Sequence, residues 1–135
     1  MGLDMFLYKK SKDKPLDEIA YWRKANAIHK WFVDNVQNGV DDCSLYEVSK
    51  DDLLQLLSIC KTIDAECIKS SNDMYHIVNE GTARRLLPTC GGFFFGSTEY
   101  DGSYARNVVQ TIATLEEFVD TFDFKNDKLY YNSWW

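Results

Sequence analysis

Two histidines and four cysteines are the only soft metal ligands in this chain of 135 residues, and no two cysteines stand in Cys-x-x-Cys spacing. Structural zinc sites draw on closely spaced Cys and His pairs, so the sequence argues against one. Neither Asp41-Asp42 nor Glu99 with Asp101 has the spacing of a calcium loop. No Gly-Lys-Ser/Thr closes a glycine-rich run, which excludes a P-loop. No cofactor is expected. No apolar stretch approaches the ~20 residues needed to span a bilayer, so no membrane association is expected. The first residues lack a cationic segment followed by an apolar run. Phe6 stands where N-myristoylation wants Ser or Thr. Cys43, Cys60, Cys67 and Cys90 are therefore read as free thiols of a cytoplasmic protein.

Positive charge is also in short supply. The net charge is −6; residues 1–40 carry seven Lys/Arg against five Asp/Glu, and the remainder eight against sixteen. A general nucleic-acid binder needs a cationic face to meet phosphates, and the balance after residue 40 opposes that. An acidic surface suits a basic protein partner and also serves solubility.

What the chain has in quantity is aromatic side chains, at 15% of its residues. With a length typical of one domain, that is enough to build a core without staples. Leu3, Met5 and Leu7 alternate with Asp4, Phe6 and Tyr8, predicting a strand to Lys9 with one wet face. Lys10 to Pro15 reads as a polar loop. Ile19-Ala20-Tyr21 fits either a short extended lead-in or a first helical turn. A helix is predicted from about Tyr21 to Val36, with Ala25, Ile28, Phe32 and either Val33 or Val36 facing the core. Asn38-Gly39 ends it. Leu45 to Val48 reads as a short strand. Ser49 then caps a helix whose stripe is Leu53, Leu56, Leu57, Cys60, Ile63 and Cys67, with Asp51 and Asp52 in its first turn.

Met74 to Val78 fits a short strand or a helical turn. Thr82 is expected to cap a brief helix ended by Pro88. Gly91 to Gly96 encloses three phenylalanines and reads as a strand buried on both faces. Ser103 is expected to cap a last helix, Tyr104 to Thr121, with a stripe of Tyr104, Val108, Ile112, Leu115 and Val119. The C-terminal segment returns to strand chemistry after an Asn126-Asp127 turn, with Leu129, Tyr131 and Ser133 opposite Tyr130, Asn132 and Trp134. The sum is one α+β domain over residues 1–135, with about three principal helices packed on an antiparallel sheet of roughly four strands.

Two segments resemble a known group. Met1-Gly2-Leu3-Asp4-Met5-Phe6-Leu7-Tyr8-Lys9-Lys10, with Tyr21-Trp22-Arg23-Lys24-Ala25-Asn26-Ala27-Ile28-His29-Lys30-Trp31-Phe32-Val33, is similar to a family of small uncharacterised bacteriophage and prophage proteins. So is Leu87-Pro88-Thr89 leading into Gly92 to Asp101. The resemblance implies a phage origin and a bacterial cytoplasm as the setting. It carries no established activity, so no catalytic residue is transferred.

The candidate site residues form two groups. Trp22, Asn26, His29 and Lys30 interleave aromatics, cations and an amide at helical spacing. They read either as a binding stripe or as core residues with a solvated outer edge. His29 as a general base would need an orienting carboxylate, for which Glu99 and Asp101 are candidates. Ser97, Thr98, Glu99, Tyr100 and Asp101 follow Gly96 and precede a helix, where phosphates are often held, though an ordinary capped connection has the same look. Trp134 and Trp135 end the sequence and belong either to the sheet or to an interface, a homodimer among the choices.

Two functions are expected from these features. The first is a phage-encoded, non-enzymatic protein that binds a bacterial host protein and inhibits a host defence system, such as a CRISPR nuclease. The last step is an analogy of size and origin. The alternative is a binding protein or hydrolase for a nucleotide-like ligand, using Trp22, His29 and the Ser97 to Asp101 loop.

Overall fold

Strand alternation and one tight reversal organise the molecule. In the computed structural model the described residues are 2–71, 76–92 and 95–135. Strand β1 (Asp4–Lys10) pairs antiparallel with β2 (Asp17–Arg23) on one side and with β6 (Lys128–Trp134) on the other. The short β3 (Tyr46–Val48) extends the sheet beyond β6, giving the order β2-β1-β6-β3. This is the four-stranded antiparallel sheet expected.

Helices α1 (Asn26–Asn35), α2 (Lys50–Ala65) and α4 (Gly102–Thr121) are the principal ones, and α3 (Glu80–Leu86) is short. A two-residue ribbon, β4 (Ile68–Lys69) with β5 (His76–Ile77), stands apart. Met74 and Tyr75 lie outside the described residues, so the reading of Met74 to Val78 is met only at His76–Ile77, which is strand.

The inner sheet face carries Met5, Leu7, Trp22, Leu129 and Tyr131, each at most 1% exposed. Phe32 of α1 lies flat on Tyr131, with ring centroids 4.0 Å apart and planes 8° from parallel. Trp22 donates its indole N–H to Thr111 Oγ1 of α4 at 3.0 Å. These contacts bind two helices to one face of the sheet. Leu53, Leu56, Leu57, Cys60 and Ile63 turn α2 inward, and burial pushes the Cys60 thiol up to about 12.

Helix starts differ from expectation in three places. Tyr21, Trp22 and Arg23 are strand, not helix. Met5 pairs with Trp22 and Phe6 with Tyr21, and a hairpin partner outweighs a weak helical period. Lys24 then takes a left-handed conformation (φ 55°), and the helix begins only at Asn26. Asn79, not Thr82, caps α3, accepting from Thr82 N; Thr82 is the third residue inside. Asp101, not Ser103, caps α4, with one carboxylate oxygen accepting from Ser103 N and Tyr104 N at 3.0 and 3.1 Å. Ser49 caps α2 as expected, in a reciprocal box with Asp52. Phe93 and Phe94 lie outside the described residues; Gly91, Gly92, Phe95 and Gly96 around them are irregular rather than strand, and Phe95 is buried.

Candidate functional site: a charged cleft beside a closed histidine network

Asn26 shows how the fold joins its two candidate segments. It is 4% exposed and sits at the first turn of α1. Its amide nitrogen donates to the carbonyls of Phe95 (3.1 Å) and Ser97 (2.8 Å), and its oxygen accepts from Cys90 N (3.0 Å). One side chain thus replaces the backbone partners that an irregular loop lacks. Further along, Thr89 N donates to the Tyr100 hydroxyl and Thr89 Oγ1 to the Thr98 carbonyl. The Tyr100 ring packs on Tyr104 and lies under the Arg84 guanidinium. The loop from Ser97 to Asp101 is held at both ends.

Between this loop, the residues leading into α1 and the first turns of α4 lies a cleft of about 280 Å³. Asn26, Ser97, Glu99 and Asp101 all line it, so four of the candidate residues from two distant segments meet there. Lys24 and Arg106, which sequence reasoning did not single out, line it too. Arg106 also donates to Ser103 Oγ. The only signal available for Arg106 was its place in the first turn of the helix that follows the loop.

The other candidates are elsewhere. Trp22 is an inner-face core residue with its polar atom already bonded to Thr111. Lys30 bridges Asp34 one turn on at 2.6 Å, which raises its pKa. Thr98 and Tyr100 belong to the loop but do not line the cleft.

His29 is 1% exposed and does not line the cleft either. Its Nε2 lies 2.9 Å from Asp41 Oδ2 and its Nδ1 2.6 Å from the Tyr131 hydroxyl. The orienting carboxylate is Asp41, not Glu99 or Asp101. A carboxylate only accepts, so Nε2 carries the hydrogen and Nδ1 accepts from the tyrosine. Burial holds the Tyr131 hydroxyl well above its ordinary pKa, which keeps it a donor. Both ring nitrogens are thereby used inside the protein, and this arrangement orients rather than reacts.

Asp41 also anchors the last residue. Its Oδ1 accepts from Trp135 Nε1 at 3.0 Å, and the Trp135 ring meets the edge of Phe95. Trp135 is 49% exposed and Trp134, on the opposite side of the strand, 66%. Among the described residues no group of three His, Cys, Asp or Glu could hold a metal ion, and no helix is long and apolar enough to cross a membrane. Compared with known proteins, the chain matches no family model, no curated protein and no solved structure.

Proposed function

We propose that this chain is a non-enzymatic interaction protein of phage origin, which binds a bacterial host protein and thereby inhibits a host defence system. The observation that carries the reading is the outer face of the sheet. Phe6, Tyr8, Tyr21, Tyr130 and Trp134 share it by strand alternation and register. Phe6 packs on Tyr8 and on Tyr21, with centroids 5.7 and 5.4 Å apart. Tyr21 and Trp134 are exposed.

The charges among them are matched, Arg23 with Asp4 at 2.9 Å and Lys128 with Glu47 at 3.7 Å. A neutral aromatic patch with paired charges at its rim has the make-up of a protein contact, where Tyr and Trp anchor binding and charges are few at the centre. The acidic remainder of the molecule favours a partner with a basic surround and speeds its approach.

The test compares the wild-type protein with the double variant Tyr8→Ala/Trp134→Ala on a bacterial lysate. The expected result is one identified host protein retained by the wild type, lost with the double variant, and held less well as salt rises. Retention by both proteins overturns the sheet face as the contact surface. So does a wild-type chain that is dimeric in solution and becomes monomeric in the double variant, since the face then serves self-association.

A further inference from the structure

The cleft between α1, the Ser97 to Asp101 loop and α4 has a charge arrangement that protein binding through the sheet does not use. Lys24 and Arg106 bring two cations to it, and Glu99 and Asp101 two carboxylates. Arg23 lines it as well but is tied to Asp4. Among the described residues no ion pair joins Lys24 or Arg106 to Glu99 or Asp101. Four unneutralised charges, two of each sign, therefore share about 280 Å³. Beneath them Ile28, Leu87 and Val108 contribute apolar lining, each at most 2% exposed.

Three of these charges are held in place by the fold. One Asp101 oxygen is fixed by the Ser103 and Tyr104 amides. Arg106 is fixed on Ser103 Oγ. Lys24 is held by its own N–H on the Leu3 carbonyl, in a left-handed conformation that Gly or Asn would adopt at less cost. Gly96 packs directly on it; a Cβ at position 96 would stand 3.0 Å from Lys24 Cβ, and the glycine's own φ of +90° admits no ordinary side chain.

We infer that the cleft binds a small zwitterion of the α-amino-acid class. Its carboxylate would face Lys24 and Arg106, its ammonium Glu99 and Asp101, and its aliphatic side chain Ile28, Leu87 and Val108. A phosphate or other pure anion fits poorly, because two carboxylates line the space and Asp101 already occupies the first amides of α4. A pure cation meets the reverse difficulty at Lys24 and Arg106. Only a molecule carrying both signs satisfies all four groups. The volume suits one amino acid and not a peptide.

The experiment is calorimetric titration of the full chain with leucine, valine and alanine, alongside N-acetyl-leucine, leucine amide and inorganic phosphate. The expected result is one saturable site for leucine or valine, with each blocked leucine binding at least tenfold more weakly. Glu99→Gln and Arg106→Gln should each weaken binding at least tenfold. Lys24→Gly should do the same while the melting temperature holds or rises, which separates lost binding from lost folding. The sheet-face double variant Tyr8→Ala/Trp134→Ala should bind leucine unchanged, so this site stands or falls apart from the protein contact. The proposal is overturned if none of the three amino acids binds at millimolar concentration. It is equally overturned if phosphate, or either blocked leucine, binds as well as leucine.

Discussion

The two faces of the sheet come from the same strands and are both rich in aromatics, yet they differ in how their polar atoms are treated. On the inner face Trp22 gives its N–H to Thr111 and Tyr131 its O–H to His29, each 1% exposed or less. Those hydrogen bonds are made inside the protein because no water reaches them, and leaving one unmade would cost the full desolvation of the group. On the outer face Tyr8, Tyr21 and Tyr130 are at least partly open to solvent, and Tyr21 bonds only to the surface carboxylate Asp4. Aromatic content alone does not distinguish a core from a contact surface. The presence of an internal partner for each polar atom does.

The largest effect expected is on the inner face. Phe32→Ala removes the ring stacked on Tyr131 and should cost about 3–5 kcal/mol in chemical denaturation. Tyr8→Ala, one face away, should cost far less; equal losses would mean that the outer face is covered as well. Next comes the closed network. His29→Ala strands the Tyr131 hydroxyl and should cost about 2 kcal/mol, and adding Tyr131→Phe should recover part of it. A double-mutant cycle reads the coupling, and a coupling of zero would break the assigned network.

Smaller again, Trp134→Ala should change stability by no more than about 0.5 kcal/mol while weakening partner capture, which separates the two faces by function. The smallest effect concerns acid. The Tyr21 hydroxyl, with Arg23 beside it, holds the Asp4 carboxyl below its ordinary value of 3.8. A carboxylate whose folded pKa is depressed stabilises the fold above its unfolded pKa, and that contribution disappears as pH falls through the folded value. Asp4→Asn should therefore flatten slightly the fall in melting temperature below about pH 4. Because the group is on the surface, high salt should shrink the difference.

Much of the fold was legible from local pattern. Alternation in Leu3 to Lys9 and Leu129 to Trp134 identified the two central strands and sorted their faces correctly. The Ser49 cap and the stripe from Leu53 to Ile63 identified α2, because caps and periodicity act within a few residues. The segment from Tyr21 to Arg23 misled because Trp22, Asn26 and His29 do recur at helical spacing. The hairpin with β1 claimed the first of them, and Lys24 turned the chain before the helix began.

The candidate site was legible in part for the same reason. That the first turn of α1 and the loop after Gly96 meet was anticipated, and Asn26 is the side chain that joins them. Asp41 as the partner of His29 was not, since twelve residues separate them and no turn chemistry links the pair.

The sequence alone therefore determined the α+β class, the central strands, two of the three long helices and the charge balance, all of which follow from short-range sterics, period and composition. Tertiary structure alone decided that Trp22 is core, that His29 is sealed between Asp41 and Tyr131, and that Lys24, Glu99, Asp101 and Arg106 share one cleft. Those outcomes depend on which distant groups come within hydrogen-bonding or Coulombic reach, and reach is a property of the packed chain, not of its local order.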